Sequence, residues 1–212
     1  MDKKELLGKL AKEIAADELL PLRGANLVFG EGDPDAEVMF IGEAPGYYEN
    51  LQGRPFVGRA GQLLDTLLRE IGWERGSVYI TNIVKRRPPE NRDPLPEEVR
   101  SYYPYLERQI EIIDPKLIVP LGRFSMNLFL PDAKISRDHG KIFRKGQRLI
   151  VPLYHTAAAL RSTTVLESLK TDFTKLPAIK NNLDELLSKE ASRDEVAPTP
   201  PSKPKTQQTK LF

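Results

Sequence analysis

The sequence contains no cysteine and only two histidines among its 212 residues. A chain without thiols has none to oxidise, and it cannot hold an iron–sulfur cluster on thiolate ligands. It also lacks a long apolar run, since no stretch approaches the roughly 18 apolar residues of a membrane-spanning helix. The N-terminal MDKKELLGKL is typical of the start of an amphipathic helix and not of a signal peptide. These absences predict a soluble, cytoplasmic protein.

A large excess of charge of either sign is absent as well. The chain carries 32 basic and 30 acidic residues, a formal net charge of +2. Net charge therefore gives no argument for binding to nucleic acid, and any basic surface must be local. The 40 % of apolar residues are enough to build one domain with a sizeable core.

Segments with strand and helix character alternate along the chain. Apolar and β-branched runs predict strands at residues 36–41, 77–81, 116–121 and 148–153, the last paired with 141–145. Amphipathic spacing predicts helices at residues 3–16, 62–71, 96–113, 122–129 and 164–187. This alternation predicts an α/β fold, a single three-layer α/β/α domain over residues 1–187 with a mainly parallel sheet of about four strands. Residues 188–212, with four prolines within seven residues, predict a disordered tail.

A loop rich in glycine and proline follows the first buried strand, with the sequence GEAPGYYENLQGRPFVGRAG over residues 42–61. Loops at the carboxyl edge of a parallel sheet bind ligands in open α/β folds. The loop lacks the Gly-Lys-Ser/Thr ending of a P-loop, and the Gly30–Gly32 pair precedes the strand, which argues against a dinucleotide fingerprint. It offers the carboxylates of Glu43 and Glu49, free backbone N–H groups and the ring of Phe56. The alternative is a purely structural strand-to-helix connection.

Two further polar residues come directly after predicted strands. Asn82 follows the second strand, and His155 follows the last one. Because the carboxyl ends of parallel strands meet at one edge of the sheet, we expect both side chains to lie beside the loop at residues 42–61. The convergence of three motifs on one edge indicates a functional site.

These motifs, in this order, resemble those of the family-4 uracil-DNA glycosylases. The likeness begins with GEAPG and the following QGRPFVGRAG, and continues through TNIVK, RPP and NRDP at residues 81–94. It includes PKLIV at residues 115–119 and His155, and it covers roughly residues 20–185. The resemblance implies a monofunctional enzyme that flips deoxyuridine out of DNA and hydrolyses the N-glycosidic bond, leaving an abasic site.

The resemblance implies a pocket for the flipped uracil. Asn82 is expected to recognise the base, since an amide accepts from N3–H and donates to O4, whereas cytosine presents the opposite pattern. Phe56 is expected to stack on the ring. The alternatives are a strand-end cap for Asn82 and a core aromatic for Phe56. The implied pocket residues are Gly42, Ala44, Gly46, Phe56 and Asn82.

Three residues are implied for the chemistry. His155 is expected to donate a hydrogen bond to uracil O2 as negative charge develops there. The alternative is a structural role, with the imidazole fully hydrogen-bonded within the protein. Glu43 is expected to position the attacking water and to offset positive charge on the sugar, with Glu49 as a second candidate. Thr156 stands where the family commonly has proline. His139 lies outside the matched motif and is predicted to be structural or a phosphate contact.

Contacts to DNA are expected beside the pocket. Four positive charges within eight residues predict a local phosphate-binding surface, and the alternative is a solvated basic loop. The segment after the second histidine is expected to supply an apolar plug and one further phosphate contact. The residues concerned are Lys85, Arg86, Arg87 and Arg92 in the first group, and Ala159, Leu160 and Arg161 in the second.

The cofactor of the resembled family is predicted to be absent. Family-4 enzymes carry an iron–sulfur cluster on four cysteines, and the corresponding positions here are Asp17, Leu20, Arg86 and Tyr102. Leucine and arginine are not cluster ligands, so we expect no cluster, no metal and no other cofactor. The two segments that the cluster joins must then be held by ordinary packing.

The tail ends in residues that resemble the sliding-clamp-binding peptides of archaeal and eukaryotic repair proteins. Gln208, Leu211 and Phe212 carry the likeness, with one aromatic of the usual pair missing. Clamp binding would raise the local concentration of the enzyme at DNA, and a tail without a role is the alternative. We expect a monomer that associates with the nucleoid through uracil-containing DNA.

Two other functions stay open at this point. One is a catalytically inactive protein that binds DNA and senses damage. The missing cysteines favour this alternative. The other is a glycosylase for a different deaminated base, such as hypoxanthine.

Overall fold

The computed structural model describes residues 1–188 of the chain. This part contains one sheet of six strands in the order β1-β3-β2-β4-β6-β5. The strands are β1 (Glu31–Gly32), β2 (Val38–Gly42), β3 (Tyr79–Asn82), β4 (Leu117–Pro120), β5 (Phe143–Lys145) and β6 (Arg148–Ile150). The four central strands are parallel, and the edge strands β1 and β5 pair antiparallel. The prediction of a mainly parallel sheet of about four strands is confirmed, β5 lies within the strand predicted at residues 141–145, and the short edge strand β1 was not predicted.

Helices cover both faces of this sheet. They are α1 (Lys3–Ala16), α2 (Tyr47–Gln52), α3 (Arg59–Glu70), α4 (Pro96–Ile113), α5 (Arg123–Phe129), α6 (Ile135–Asp138), α7 (Thr156–Ala159), α8 (Thr163–Phe173), α9 (Leu176–Asn181) and α10 (Leu183–Ser188). The bounds of α1 and α4 match the predicted ones. The largely helical region predicted at residues 164–187, with a kink or boundary at Pro177, is divided into α8, α9 and α10, and Pro177 lies in the first turn of α9.

The side chains of β2 alternate between two apolar cores. Phe40 packs in one core with Leu67 of α3 and Phe173 of α8. Met39 packs in the other core with Leu10 of α1, on the opposite face of the sheet. All five residues of β2 are buried, as expected for a central parallel strand covered on both faces. The described chain therefore forms three layers, α/β/α.

The pairing of β2 with β3 sets the geometry of one sheet edge. Gly42 and Asn82, the last residues of the two strands, are partners in the parallel register. Beyond them the backbone pairing continues, because the N–H of Ile83 donates to the Gly42 carbonyl over 3.1 Å. The loops after β2 and β3 therefore leave the sheet side by side.

No helix within residues 1–188 is long and apolar enough to cross a membrane. The predicted clamp-binding residues Gln208, Leu211 and Phe212 lie outside the described residues, as does nearly all of the tail predicted from residue 188 onwards.

Candidate active site

A cavity of about 480 Å³ opens at the carboxyl edge of the sheet. The segment after each of the four parallel strands contributes to its lining. These segments are residues 43–46 after β2, 88–93 after β3, 122–124 after β4 and 154–158 after β6. The loop after β2 and His155 therefore meet in this cavity, whereas Asn82 ends β3 beside Gly42 at the same sheet edge and is not one of the lining residues. A second cavity, of about 190 Å³, lies between α4 and β6, and none of the predicted site residues lines it.

Gly42, Phe56 and Asn82 form a tightly packed group at the sheet edge. A Cβ atom on Gly42 would lie 2.4 Å from Asn82 Oδ1 and 2.5 Å from Phe56 Cζ, so only glycine fits here. The Asn82 side chain is 2 % exposed, and its Oδ1 has no hydrogen-bond partner within the described chain. Buried polar atoms are almost always paired, so this unpaired acceptor at the sheet edge indicates a ligand atom that donates to it.

The backbone of Phe56 is held in an unusual conformation by a distant arginine. Phe56 has a φ of 50°, in the left-handed region that non-glycine residues rarely adopt. Arg75 donates to the carbonyl of Phe56 at 3.2 Å and to that of Pro55 at 2.5 Å. Arg75 is itself fixed by an ion pair with Asp65 at 2.6 Å. Strain of this kind persists where surrounding contacts enforce it, and it is common at ligand sites.

His155 is the N-cap residue of α7, a helix that the sequence did not predict. Its Nδ1 accepts a hydrogen bond from the N–H of Ala157 at 3.0 Å. The ring stacks on Phe56 with a centroid distance of 5.8 Å and an interplanar angle of 27°. Burial lowers the pKa of His155 to about 4, so the imidazole is neutral at physiological pH. Because Nδ1 is an acceptor, the single proton is on Nε2, which is left as a donor.

Glu43 follows β2 directly and lines the cavity. Burial, supported by the negative charge of Asp93, raises the pKa of Glu43 to about 7, while Arg123 opposes the rise. Asp93 and Arg123 form an ion pair at 2.9 Å and both line the cavity. The sequence gives no sign of this pair, because its members are far apart in the chain and no local motif joins them.

Glu49 is hydrogen-bonded to the backbone of the loop that carries Phe56. Its Oε1 accepts from the N–H groups of Val57 and Gly58 at 2.9 and 2.7 Å. Gly58 is the N-cap residue of α3, so this carboxylate satisfies free N–H groups at the helix start. Glu49 also lies close enough to His155 for its charge to oppose the fall in the pKa of the imidazole.

Lys85 and Arg86 were predicted to contact phosphates, and the structure contradicts both predictions. Lys85 is 0 % exposed, and its Nζ donates to Thr81, Asn82 and Gln109. Arg86 is 7 % exposed and donates to the carbonyl of Ala25 at 2.5 Å. A buried cation cannot reach a phosphate, and a run of positive charge in the sequence carries no information on which members point inward.

The remaining predicted DNA contacts differ in accessibility. Arg87 is half-buried, with its guanidinium 5.1 Å from the ring centroid of Tyr47, and Arg92 is paired with Glu98 at 2.6 Å. Arg161 is exposed and lines the cavity. Leu160 is 42 % exposed, whereas Ala159 is 3 % exposed in the core.

Ala159 was predicted to belong to an apolar plug, and its burial contradicts this. It lies on the inner face of α7 and packs in the core that also holds α3 and α8. Tyr47 and Tyr48, the first two residues of α2, are exposed and follow Gly46, which lines the cavity.

The four positions aligned with cluster cysteines lie together, but their side chains do not fit an iron–sulfur cluster. Tyr102 donates to the carbonyl of Pro21 at 2.7 Å, and Asp17 accepts from Tyr105. Leu20 is buried in the core, and Arg86 bonds to the backbone as described above. No thiolate is present, and each polar member is used in a protein contact. Hydrogen bonds and packing hold these segments together.

The helix-covered parallel sheet, with a cleft built by the loops after its four strands, defines the class of the protein. The chain belongs to the uracil DNA glycosylase superfamily, whose family model matches residues 29–177. Within that superfamily it is a member of the type-4 family, on the similarity of its relatives.

Three relatives named type-4 uracil-DNA glycosylase carry this assignment. The protein of Archaeoglobus fulgidus is 48 % identical over 160 residues, covering 71 % of this chain and 80 % of its own. The one of Sulfurisphaera tokodaii is 47 % identical over 161 residues, covering 71 % and 73 %. The one of Saccharolobus solfataricus is 42 % identical over 186 residues, covering 83 % and 86 %.

Proposed function

We propose that this chain excises uracil from DNA by hydrolysing the N-glycosidic bond of a flipped deoxyuridine. The observation that carries this function is the buried, unpaired Oδ1 of Asn82 beside Gly42 and Phe56. Membership of the type-4 family supports the same activity. Flipping is required because the glycosidic bond of a stacked base is out of reach of such a cleft.

Recognition of uracil rests on Asn82 and Phe56. The unpaired Oδ1 accepts from uracil N3–H, and the amide nitrogen donates to O4. Cytosine presents an acceptor and a donor in the reverse order, so a fixed amide rejects it. Phe56 is held beside Gly42 and supplies a ring on which the base stacks, a contact worth about 1–3 kcal/mol. The backbone N–H groups of Gly42, Glu43, Ala44 and Gly46 complete the pocket, since Pro45 has none.

His155 stabilises the departing uracil anion. The neutral ring has its proton on Nε2, because Nδ1 accepts from the backbone. A neutral donor can hydrogen-bond to O2 as the charge develops, in the manner of an oxyanion hole. The contact with Phe56 and the cap on α7 fix the ring, so it needs no reorganisation during the reaction.

Glu43 positions and activates the water, and Glu49 shapes the loop. A pKa of about 7 suits a general base at neutral pH, because a general base is most effective when its pKa lies near the working pH. The ionised carboxylate also offsets positive charge on the sugar. Glu49 has its Oε1 engaged by two backbone N–H groups, so we assign it to holding the Phe56 loop and not to the water.

The DNA-facing surface is the rim of the cleft. Of the cations that the sequence predicted for phosphate contact, we assign Arg161 and Arg87 to it, and the exposed Leu160 supplies the apolar plug. The described residues leave both arginine side chains at least partly exposed, in contrast to Lys85 and Arg86. We extend the proposal to the tail, whose last residues, Gln208, Leu211 and Phe212, would tether the enzyme to a sliding clamp at intracellular DNA.

The test is cleavage of an oligonucleotide with a single uracil, followed by alkali to cut abasic sites. We expect the wild type to cleave it and His155→Ala to lose most of the activity. His139→Asn is the matched control, since asparagine retains a donor toward Asp172, which now bonds to His139 at 2.6 Å. Tight binding without cleavage would make the protein a sensor, and preferential cleavage of hypoxanthine would make it a glycosylase for another base. Either result would overturn the proposal.

A further inference from the structure

Lys85 is a fully buried lysine next to the strand that carries the base-recognising residue. Its Nζ donates to Thr81 Oγ1 at 2.7 Å, to the carbonyl of Asn82 at 2.7 Å and to Gln109 Oε1 at 2.6 Å. The side chain is 0 % exposed. Its amine therefore joins the last two residues of β3 to α4, behind the pocket.

The hydrogen bonds around this amine match an ammonium group with three protons. The Thr81 hydroxyl donates its own proton to the carbonyl of Phe29 at 2.8 Å, so it accepts from Lys85. The Gln109 amide nitrogen donates to the carbonyl of Phe29 and to the Tyr79 hydroxyl, which turns its oxygen toward Lys85. All three acceptors are thus oriented toward one donor.

The three acceptors are neutral, and no carboxylate forms an ion pair with Lys85 within the described part of the chain. Burial correspondingly lowers the pKa of Lys85 well below its usual value. A buried cation without an anionic partner is costly for stability. Groups of this kind are concentrated at functional sites, which calls for a role beyond packing.

We propose that Lys85 is a positioning residue that fixes the peptide of Asn82, and through it the amide that recognises uracil, and that Lys85 does not contact DNA. This inference rests on the proposed role of Asn82. Lys85 donates a hydrogen bond to the Asn82 carbonyl, and strand pairing with Gly42 constrains the backbone of the same residue. Because the backbone carbonyl of Asn82 is fixed, its buried side-chain amide is also held in place, and the Oδ1 atom of that amide has no hydrogen-bond partner in the described chain.

The experiment compares Lys85→Met, which keeps the length of the side chain but has no donor, with wild type and Leu10→Ala. Leu10 is buried in the α1 core away from the cleft and controls for loss of stability. Single-turnover cleavage of uracil-containing DNA is measured at a temperature at which all variants are folded. Binding to undamaged DNA is measured in parallel as a function of salt concentration.

We expect Lys85→Met to cleave at least about tenfold more slowly than Leu10→Ala, because small displacements of a positioning group are expensive in rate. Its binding to undamaged DNA should keep the wild-type salt slope. Cleavage equal to that of Leu10→Ala would overturn the inference. So would a salt slope reduced by about one, the signature of a lost phosphate contact.

Gln109→Met serves if Lys85→Met does not fold. It removes the acceptor that anchors the amine from α4, so the amine is no longer held at the Asn82 carbonyl, and we expect slower cleavage with an unchanged salt slope. Cleavage by Gln109→Met at the Leu10→Ala rate would overturn the inference. A wild type that leaves uracil-containing DNA intact would instead refute the proposed function, so the two failures are distinguishable.

Discussion

We expect Glu43 to set the pH dependence of uracil cleavage, and two neighbours of opposite charge make this expectation testable. A base must be ionised to act, so the rate should rise with pH. With a pKa of about 7, roughly a tenth of the carboxylate is ionised at pH 6 and roughly nine tenths at pH 8, which predicts a rise of about tenfold. His155, with a pKa of about 4, stays neutral over this range and adds no second inflection.

The two charged neighbours should move the inflection in opposite directions. Asp93 raises the pKa of Glu43 and Arg123 lowers it. Asp93→Asn should therefore move the midpoint of the profile to lower pH, and Arg123→Met should move it to higher pH. The two side chains form an ion pair with each other, so each substitution also frees the remaining charge, which strengthens its effect on Glu43.

Single-turnover rates on a uracil oligonucleotide between pH 5.5 and 8.5 are the appropriate assay, because they report the chemical step without product release. Glu43→Gln is the control, and its residual rate should not change with pH in this range. A profile that both neighbours shift in the same direction, or that Glu43→Gln retains, would refute the assignment of the inflection to Glu43.

Three further outcomes are expected. Asn82→Asp removes the donor to O4, so the rate of uracil cleavage should fall by up to about a hundredfold and discrimination against cytosine should weaken. If matched uracil and cytosine substrates show unchanged selectivity, Asn82 does not recognise the base. Gly42→Ala forces a Cβ into Asn82 and Phe56, and should lower the single-turnover rate by about a hundredfold, while a near-normal rate would contradict the packing described above. Tyr102→Phe removes the hydrogen bond to Pro21 and should lower the free energy of unfolding by about 1 kcal/mol with unchanged activity; a loss of activity at full folding would show that this region supports the cleft directly.

The parts of the fold that the sequence predicts well have strong local signals. Pro96 at the first position of α4 and regular apolar spacing up to Ile113 define that helix to the residue. By contrast, α2 and α7 have six and four residues, too few for any periodicity to emerge. Their positions depend on long-range contacts, such as the neighbourhood of His155 and Phe56.

The charged residues show where sequence reasoning ends. Lys85 and Arg87 are two residues apart in one basic run, yet the first is buried and the second half-exposed. The buried amine of Lys85 has two acceptors nearby in the chain, Thr81 and Asn82, and its third acceptor, Gln109, lies 24 positions further on. Contacts of that separation leave no local pattern. The edge of the sheet was predictable because chain direction alone brings the ends of parallel strands together.

Under the proposed role of Asn82, the strand register that places Gly42 opposite Asn82 makes base selectivity depend on the side chain at one position. Side chains alternate along a strand, so a slip of one residue would turn Asn82 away from the cleft altogether. Backbone pairing thus delivers position 82 to the base, and the side chain there supplies only the donor and acceptor pattern. Altering base preference in this scaffold is therefore a matter of changing what the sheet presents at that point, with its loops and its water-activating acid left as they are.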